Sequence, residues 1–261
     1  MKTLPSYKKP PVDEVVCGIR FKVPDKLRIT HFGLLWDKFK KEYPNVQHAI
    51  PIATNIAQVI EDKSTGMPLP RVWFINKSDD QVIQFQIDRL YFNWRHRNDA
   101  YPRYLSVIDN FSKTYEEVDK FFTEMNFGNI EPIESELSYI NIIEKGKGWN
   151  SLDDLPHLFT DFGWALKKTR FLPNPKNISW KTAFELPENQ GRLTIKLDQV
   201  LHKETKEPLL RLELAACGSS DSFSKDGMLK WFDLAHRWIV EGFSDITSKE
   251  IQKNIWERDD V

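Results

Sequence analysis

The feature that most constrains this chain is an order of elements that runs twice. Each half reads as a strand, a helix, a run of strands around tight turns and a long amphipathic helix, over Val15 to Met125 and again over Glu136 to Phe243. This pattern predicts an α+β fold of two tandem βαβββα-like units, with antiparallel sheets packed against the long helices. The expected organisation is an extended leader over 1–14, a first unit over 15–128 and a second over 129–261, packed together as one globular body. Gly128 and Pro132 mark the boundary. A doubled unit offers a shared saddle or groove, which points to binding geometry and away from a catalytic motif.

Local patterns supply the elements. Glu14 to Phe21 is a Val- and Ile-rich strand that Pro24-Asp25 ends, after a leader whose Pro5, Pro10 and Pro11 predict a loosely held segment. Phe32, Leu35, Trp36 and Phe39 recur at helical steps, with Thr30 as the expected N-cap. Short strands are expected at 47–52 and 56–61, then a hairpin of Arg71 to Asn76 with Gln81 to Asp88. Ile83, Phe85 and Ile87 alternate with Gln84, Gln86 and Asp88, which predicts a sheet with one wet face. A helix over 102–125 carries the stripe Leu105, Ile108, Phe111, Tyr115, Val118 and Phe122. In the second half, strands are expected at 136–144, 178–186, 192–201 and 208–217. Ser151 with Asp154 resembles a capping box, and Met228 to Phe243 gives the broadest apolar stripe in the chain. Ser248 is the expected cap of a last short helix.

Charge and cysteine content exclude several classes. The 37 basic and 38 acidic side chains leave a net charge of -1, so bulk electrostatics give no reason for nonspecific nucleic-acid or membrane binding. Cys17 and Cys217 are the only cysteines, too few for a disulfide scaffold, and both read as small buried side chains. No run approaches the ~20 apolar residues of a membrane span, and Met1-Lys2-Thr3-Leu4-Pro5 begins no signal-peptide core, so a cytoplasmic home is expected. The six histidines lack ligand spacing, so no zinc site is expected, and no cofactor motif is present.

Four groups of residues invite a chemical reading. Arg89, Tyr91, Trp94, Arg95, His96 and Arg97, with Arg103 beyond them, interleave guanidinium and aromatic groups that stack on bases and clamp phosphates. The blander reading is a strand end whose aromatics enter the core while its arginines meet water, Asp88 or Asp99. Lys167, Lys168, Arg170 and Lys176 form a smaller basic patch, read as a solvated loop. Asp233, Arg237 and Glu241 are spaced four apart, which predicts a surface ion-pair ladder; beside it His236 is a general-base candidate with no nucleophile in view. Carboxylates of the second half's strands, among them Glu134, Glu136, Glu144, Glu185, Asp198 and Glu213, are the raw material of a metal-assisted hydrolase.

The opening Pro10-Pro11-Val12-Asp13-Glu14-Val15-Val16-Cys17-Gly18-Ile19-Arg20-Phe21 and the closing Ala235-His236-Arg237-Trp238-Ile239-Val240-Glu241-Gly242-Phe243-Ser244-Asp245-Ile246-Thr247 resemble the two ends of a sporadically distributed family of uncharacterised prokaryotic proteins. Glu136 to Asn141 fits the same family, which brings no catalytic residues with it. Its patchy occurrence implies mobile genes of the toxin–antitoxin or phage-defence kind. The expected function is therefore a non-catalytic binding protein with a protein partner, in such a system. The alternatives are a nucleotide- or nucleic-acid-binding protein using Arg89 to Arg97, and the metal-assisted hydrolase. Oligomeric state stays open, a homodimer included.

Overall fold

In the computed structural model, residues 4–52, 66, 69–97, 101–163, 171–220 and 224–259 are described. The chain is mixed α+β, with nine strands in an antiparallel sheet and five α-helices among these residues. The strands are β1 (Val12–Phe21), β2 (Asn45–Ala49), β3 (Arg71–Ile75), β4 (Gln81–Gln86), β5 (Arg89–Arg95), β6 (Pro132–Glu144), β7 (Ser179–Glu185), β8 (Gly191–Leu201) and β9 (Pro208–Gly218). The helices are α1 (Ile29–Phe39), α2 (Tyr104–Glu124), α3 (Leu155–Leu158), α4 (Lys225–Ile246) and α5 (Lys249–Asn254). The sheet order is β2-β3-β4-β5-β1-β6-β9-β8-β7. No helix among the described residues is long and apolar enough to cross a membrane.

Two compact units emerge. One comprises Glu14–Leu137 and Gly218–Leu229, the other Met1–Asp13, Ser138–Cys217 and Lys230–Val261. In the Glu14–Leu137 unit, α1 and α2 cover one face of the strands. Phe32 of α1 and Phe122 of α2 lie 5.0 and 6.5 Å from Phe85 of β4, and Phe122 also packs edge-on against Phe21 of β1. Each fully buried aromatic of this kind contributes about 1.5–3 kcal/mol of burial. The α2 stripe holds with one exception: Leu105 is 72% exposed, because it lies off the arc that Ile108, Phe111, Tyr115 and Phe122 define. α1 starts one residue before the expected cap. Arg28 takes the N-cap place expected of Thr30, and His31, three residues on, accepts from the Arg28 N–H through its Nδ1 at 2.9 Å.

The expected hairpin of β3 and β4 forms, with Val72 opposite Phe85 and Ile75 opposite Val82. β4 then turns through Ile87 and Asp88 into β5, pairing Gln86 with Arg89. The sequence reading missed this second hairpin, since neither turn residue is the Gly or Asn that usually signals one, and neither has a positive φ. The strand expected over 56–61 lies outside the described residues.

In the other unit, Leu193, Ile195 and Leu197 of β8 and Leu210, Leu212 and Leu214 of β9 form a buried face. Trp231 of α4 donates its indole N–H to the Gln190 carbonyl in the turn before β8, at 2.9 Å. The Ser151/Asp154 capping box is present, and Ser248 caps α5 through Ile251 N–H. The leader is held more firmly than its prolines suggest. Tyr7 is buried edge-on against Phe243 and Trp256, and Lys8, Lys9 and Asp259 tie the two chain segments by backbone hydrogen bonds of 3.0–3.1 Å. Cys17 is buried as expected, and burial pushes its thiol pKa up; Cys217 is only half-buried.

Candidate functional site

The face of β3–β4–β5 that α1 and α2 leave uncovered was expected to be wet. It is not: Gln84, Gln86, Asp88, Arg89, Tyr91 and Asn93 are all under 9% exposed. The reason is mutual satisfaction. Buried polar groups persist where each finds a partner, and a half-satisfied set costs several kcal/mol, roughly 2–7 per group. Here Arg71 donates to Gln84, Gln84 to Asn93 and Asn93 to Glu14, at 2.9, 2.7 and 2.6 Å, a relay that runs from a guanidinium to a carboxylate. Gln86 exchanges two hydrogen bonds with the backbone of Ile52 and donates a third to Asp88.

Beside this relay sits a closed triangle. Arg89 donates to Tyr91 Oη at 2.9 Å and to Glu136 Oε1 at 2.8 Å, while Tyr91 donates to Glu136 Oε2 at 2.8 Å. Burial, then the Glu136 charge, push the Tyr91 phenol far above its ordinary range, so it stays a donor. The geometry depends on Gly18. Tyr91 lies across β1 where a Cβ on residue 18 would come 2.1 Å from its ring and 2.6 Å from the Leu90 carbonyl.

The other members of the basic–aromatic segment disperse. Trp94 alternates to the helix-covered face, 5.2 Å from Tyr101 and 6.2 Å from His96. Arg95 and Arg97 both pair with Asp79 of the β3–β4 turn, Arg97 at 2.7 Å. His96 and Arg97 are exposed, and Arg103 is the exposed N-cap of α2, at φ 73°. The segment thus brings Arg89 to Tyr91 and Arg95 to Arg97, each pair around a carboxylate. Of the second basic patch, 167, 168 and 170 lie outside the described residues. Four of the strand carboxylates each have a partner, Glu134 in Arg20, Glu136 in Arg89, Glu213 in Arg211 and Asp198 in Ser179, and of these Glu134 and Glu136 bring oxygens within 4.8 Å of each other.

α4 presents two different faces in its own unit. Towards the core, His236 Nδ1 lies 3.1 Å from Tyr139 Oη of β6, and burial lowers the imidazole pKa to about 4. At neutral pH this histidine is uncharged. Towards the surface, the expected ladder is not formed: among the described residues neither Arg237 nor Glu241 makes an ion pair or hydrogen bond. An exposed pair four residues apart gains only about 0.3–0.5 kcal/mol, too little to hold two long side chains together.

Both side chains instead line a cavity of about 700 Å³ between β7–β8 and α4. Leu193, Ile195, Leu234, Trp238, Phe184 and Pro187 give it an apolar lining, and Asp161, Arg237, Glu241 and Asp245 add charged groups to the same lining. A helical glycine, Gly242, shapes this lining, since a Cβ there would come 3.3 Å from Leu193. One cation against three carboxylates gives the lining a net charge of 1 − 3 = −2. Volume, apolar lining and a few charged groups are the attributes of a binding cleft. Sequence reasoning placed Arg237 and Glu241 on one helix face but missed Asp245, one turn further along, and Gly242 between them in the same lining. No protein-family model matches this chain, and no curated protein or solved structure is significantly similar to it.

Proposed function

We propose that this chain is a non-catalytic binding protein whose ligand sits in the cavity between β7–β8 and α4. The observation that carries the reading is a cleft of about 700 Å³ with an apolar lining, whose Arg237 and Glu241 have no partner among the described residues. Long charged side chains held without partners beside apolar surface are available to a ligand at little cost in broken contacts. The net negative lining selects for a cationic group on that ligand. Arylalkylamines, which combine an aromatic ring with an ammonium, serve as test compounds. They are expected to raise the melting temperature of the wild-type protein and to leave a Leu234→Trp variant, whose cavity is filled, unshifted. Equal shifts in both proteins, or none in either, would remove the cavity as a site.

The nucleic-acid reading of Arg89 to Arg97 draws less support, since Arg89, Arg95 and Arg97 each face a carboxylate at ion-pair distance. A tandem origin of the fold is a further part of the proposal. Its support is the strand order, in which β3-β4-β5-β1 and β7-β8-β9-β6 each place the first strand of a pass beside the last strand of its meander. Participation in a phage-defence or toxin–antitoxin module is proposed on the family resemblance alone.

A further inference from the structure

We infer that the cavity's ligand is an extended peptide that adds to the sheet as a new strand beside β7 and places a basic side chain against the α4 carboxylates. The inference rests on the binding reading above and adds the chemistry and pose of the ligand. It begins with an edge that carries no further strand among the described residues. β7 ends the sheet order, and its register with β8 is fixed from Ser179 opposite Asp198 to Glu185 opposite Arg192. The same register continues in two backbone hydrogen bonds, from Gln199 N–H to the Ile178 carbonyl and from Leu186 N–H to the Gly191 carbonyl. Hydrogen-bonded pairs alternate along an antiparallel ladder, so Trp180, Thr182 and Phe184 direct their main-chain groups to β8. Ser179, Lys181, Ala183 and Glu185 therefore direct theirs outward, to the edge.

That edge adjoins the cavity. Phe184 is a β7 residue, 43% exposed, and lines the cleft together with its cross-strand partner Leu193. An incoming strand would repeat the period-two alternation of the sheet, so every second residue of it faces the α4 side. Its residue beside Phe184 meets the apolar lining of Leu193, Leu234 and Trp238. Two residues away, towards Trp180, the neighbouring acids are reached: Asp161 is joined to Phe162, whose ring lies 5.3 Å from Trp180. Asp245 and Glu241 follow along α4 in the same lining. The recognised motif is thus an apolar residue and a Lys or Arg two positions apart on one extended chain. Small amines would use the same lining but would have no need of the edge.

The opposite end of the sheet shows why β7 is singled out. β2 also ends the sheet order, but the hollow beside it, about 230 Å³, is lined among the described residues by Ile29, Phe32, Trp36, Val46 and their neighbours, without a carboxylate. It offers nothing to select a charged chain.

The test uses fluorescein-labelled extended peptides in which Leu is followed two residues later by Lys, Thr or Glu, titrated by anisotropy against the full chain. Wild type is expected to bind the Lys peptide at least about tenfold more tightly than the Glu peptide. Ala183→Pro removes an outward N–H without touching the β7–β8 ladder, and Pro is tolerated at such an edge position. It is expected to weaken the Lys peptide about tenfold or more while arylalkylamine shifts persist. A Glu241→Gln, Asp245→Asn double variant is expected to erase the preference for Lys over Glu. Hydrogen exchange on the wild-type protein provides a readout free of any folding defect: bound peptide should slow the Lys181, Ala183 and Glu185 amides. Peptide binding untouched by Ala183→Pro, or unchanged exchange at those amides, overturns the added strand. Amines that bind while every peptide fails overturn it too and leave the cavity standing; if the amines also fail, the binding reading falls with it.

Discussion

Arg89 with Glu136 and Arg237 with Glu241 are the same two residue types in opposite circumstances. The first pair meets at 2.8 Å beside a tyrosine that donates to the same carboxylate, with the arginine 5% exposed. The second pair shares a helix face and makes no ion pair among the described residues. Residue chemistry alone does not distinguish a structural charge from one available to a ligand. What distinguishes them is whether the surrounding fold already supplies a partner. On the β4–β5 face it does, through a relay that reaches Glu14; beside α4 it supplies an apolar lining and more acids.

The comparison breaks most sharply at Glu136. Glu136→Ala takes from the buried Arg89 guanidinium the carboxylate at 2.8 Å, leaving the Tyr91 hydroxyl at 2.9 Å and the Asp88 carboxylate at 3.8 Å, and should cost about 3–5 kcal/mol in urea unfolding. A cost near zero would mean that this face is as dispensable as a solvated surface.

The two faces of α4 can be separated by pH. His236 titrates near 4 in the fold, below the ordinary imidazole, so the unfolded chain binds its proton more readily. Its contribution to stability is complete above pH ~6.5 and is lost as pH falls towards 4, about 3 kcal/mol in all. Unfolding measured at pH 7.5 and 4.5 should show this loss in wild type and a smaller one in His236→Gln. Equal losses would place the histidine in water, on the same footing as Arg237.

Gly18→Ala probes the triangle from beneath. The added methyl meets the Tyr91 ring and the Leu90 carbonyl well inside contact distance, and overpacking of this kind costs about 1–3 kcal/mol. Measured in a Tyr91→Ala background, the same Gly18→Ala step should cost less, since the ring is one of the two obstacles. The smallest effect belongs to α4's outer face. Arg237→Met and Glu241→Gln should each move stability by less than about 0.5 kcal/mol while changing ligand affinity, because exposed groups without partners hold nothing together. Losses of the Glu136 size would erase the contrast.

Much of the fold was legible in advance because local signals agreed with one another. The alternation of Leu193, Ile195 and Leu197, the Ser151 and Ser248 caps and the α4 stripe each follow from a period or a hydrogen bond closed within a few residues. The site was harder to read. Glutamines alternating with Ile83 and Phe85 look identical whether their face meets water or Asn93 and Ile52, for the partners lie nine and 34 residues away, on other segments. The four-residue spacing of Arg237 and Glu241 suggested a bond, whereas their use is decided by β8, which no helical pattern contains. Two glycines did carry the missing information. Gly18 within a strand marks the close approach of Tyr91, and Gly242 within a helix marks the close approach of α4 to Leu193.

Crystals soaked with arylalkylamines test the central claim most directly. The account predicts density between Trp238 and Leu193, with the ammonium within hydrogen-bond distance of Glu241 or Asp245. Amines that gather on the β4–β5 face or elsewhere, leaving the α4 cavity empty, would contradict it.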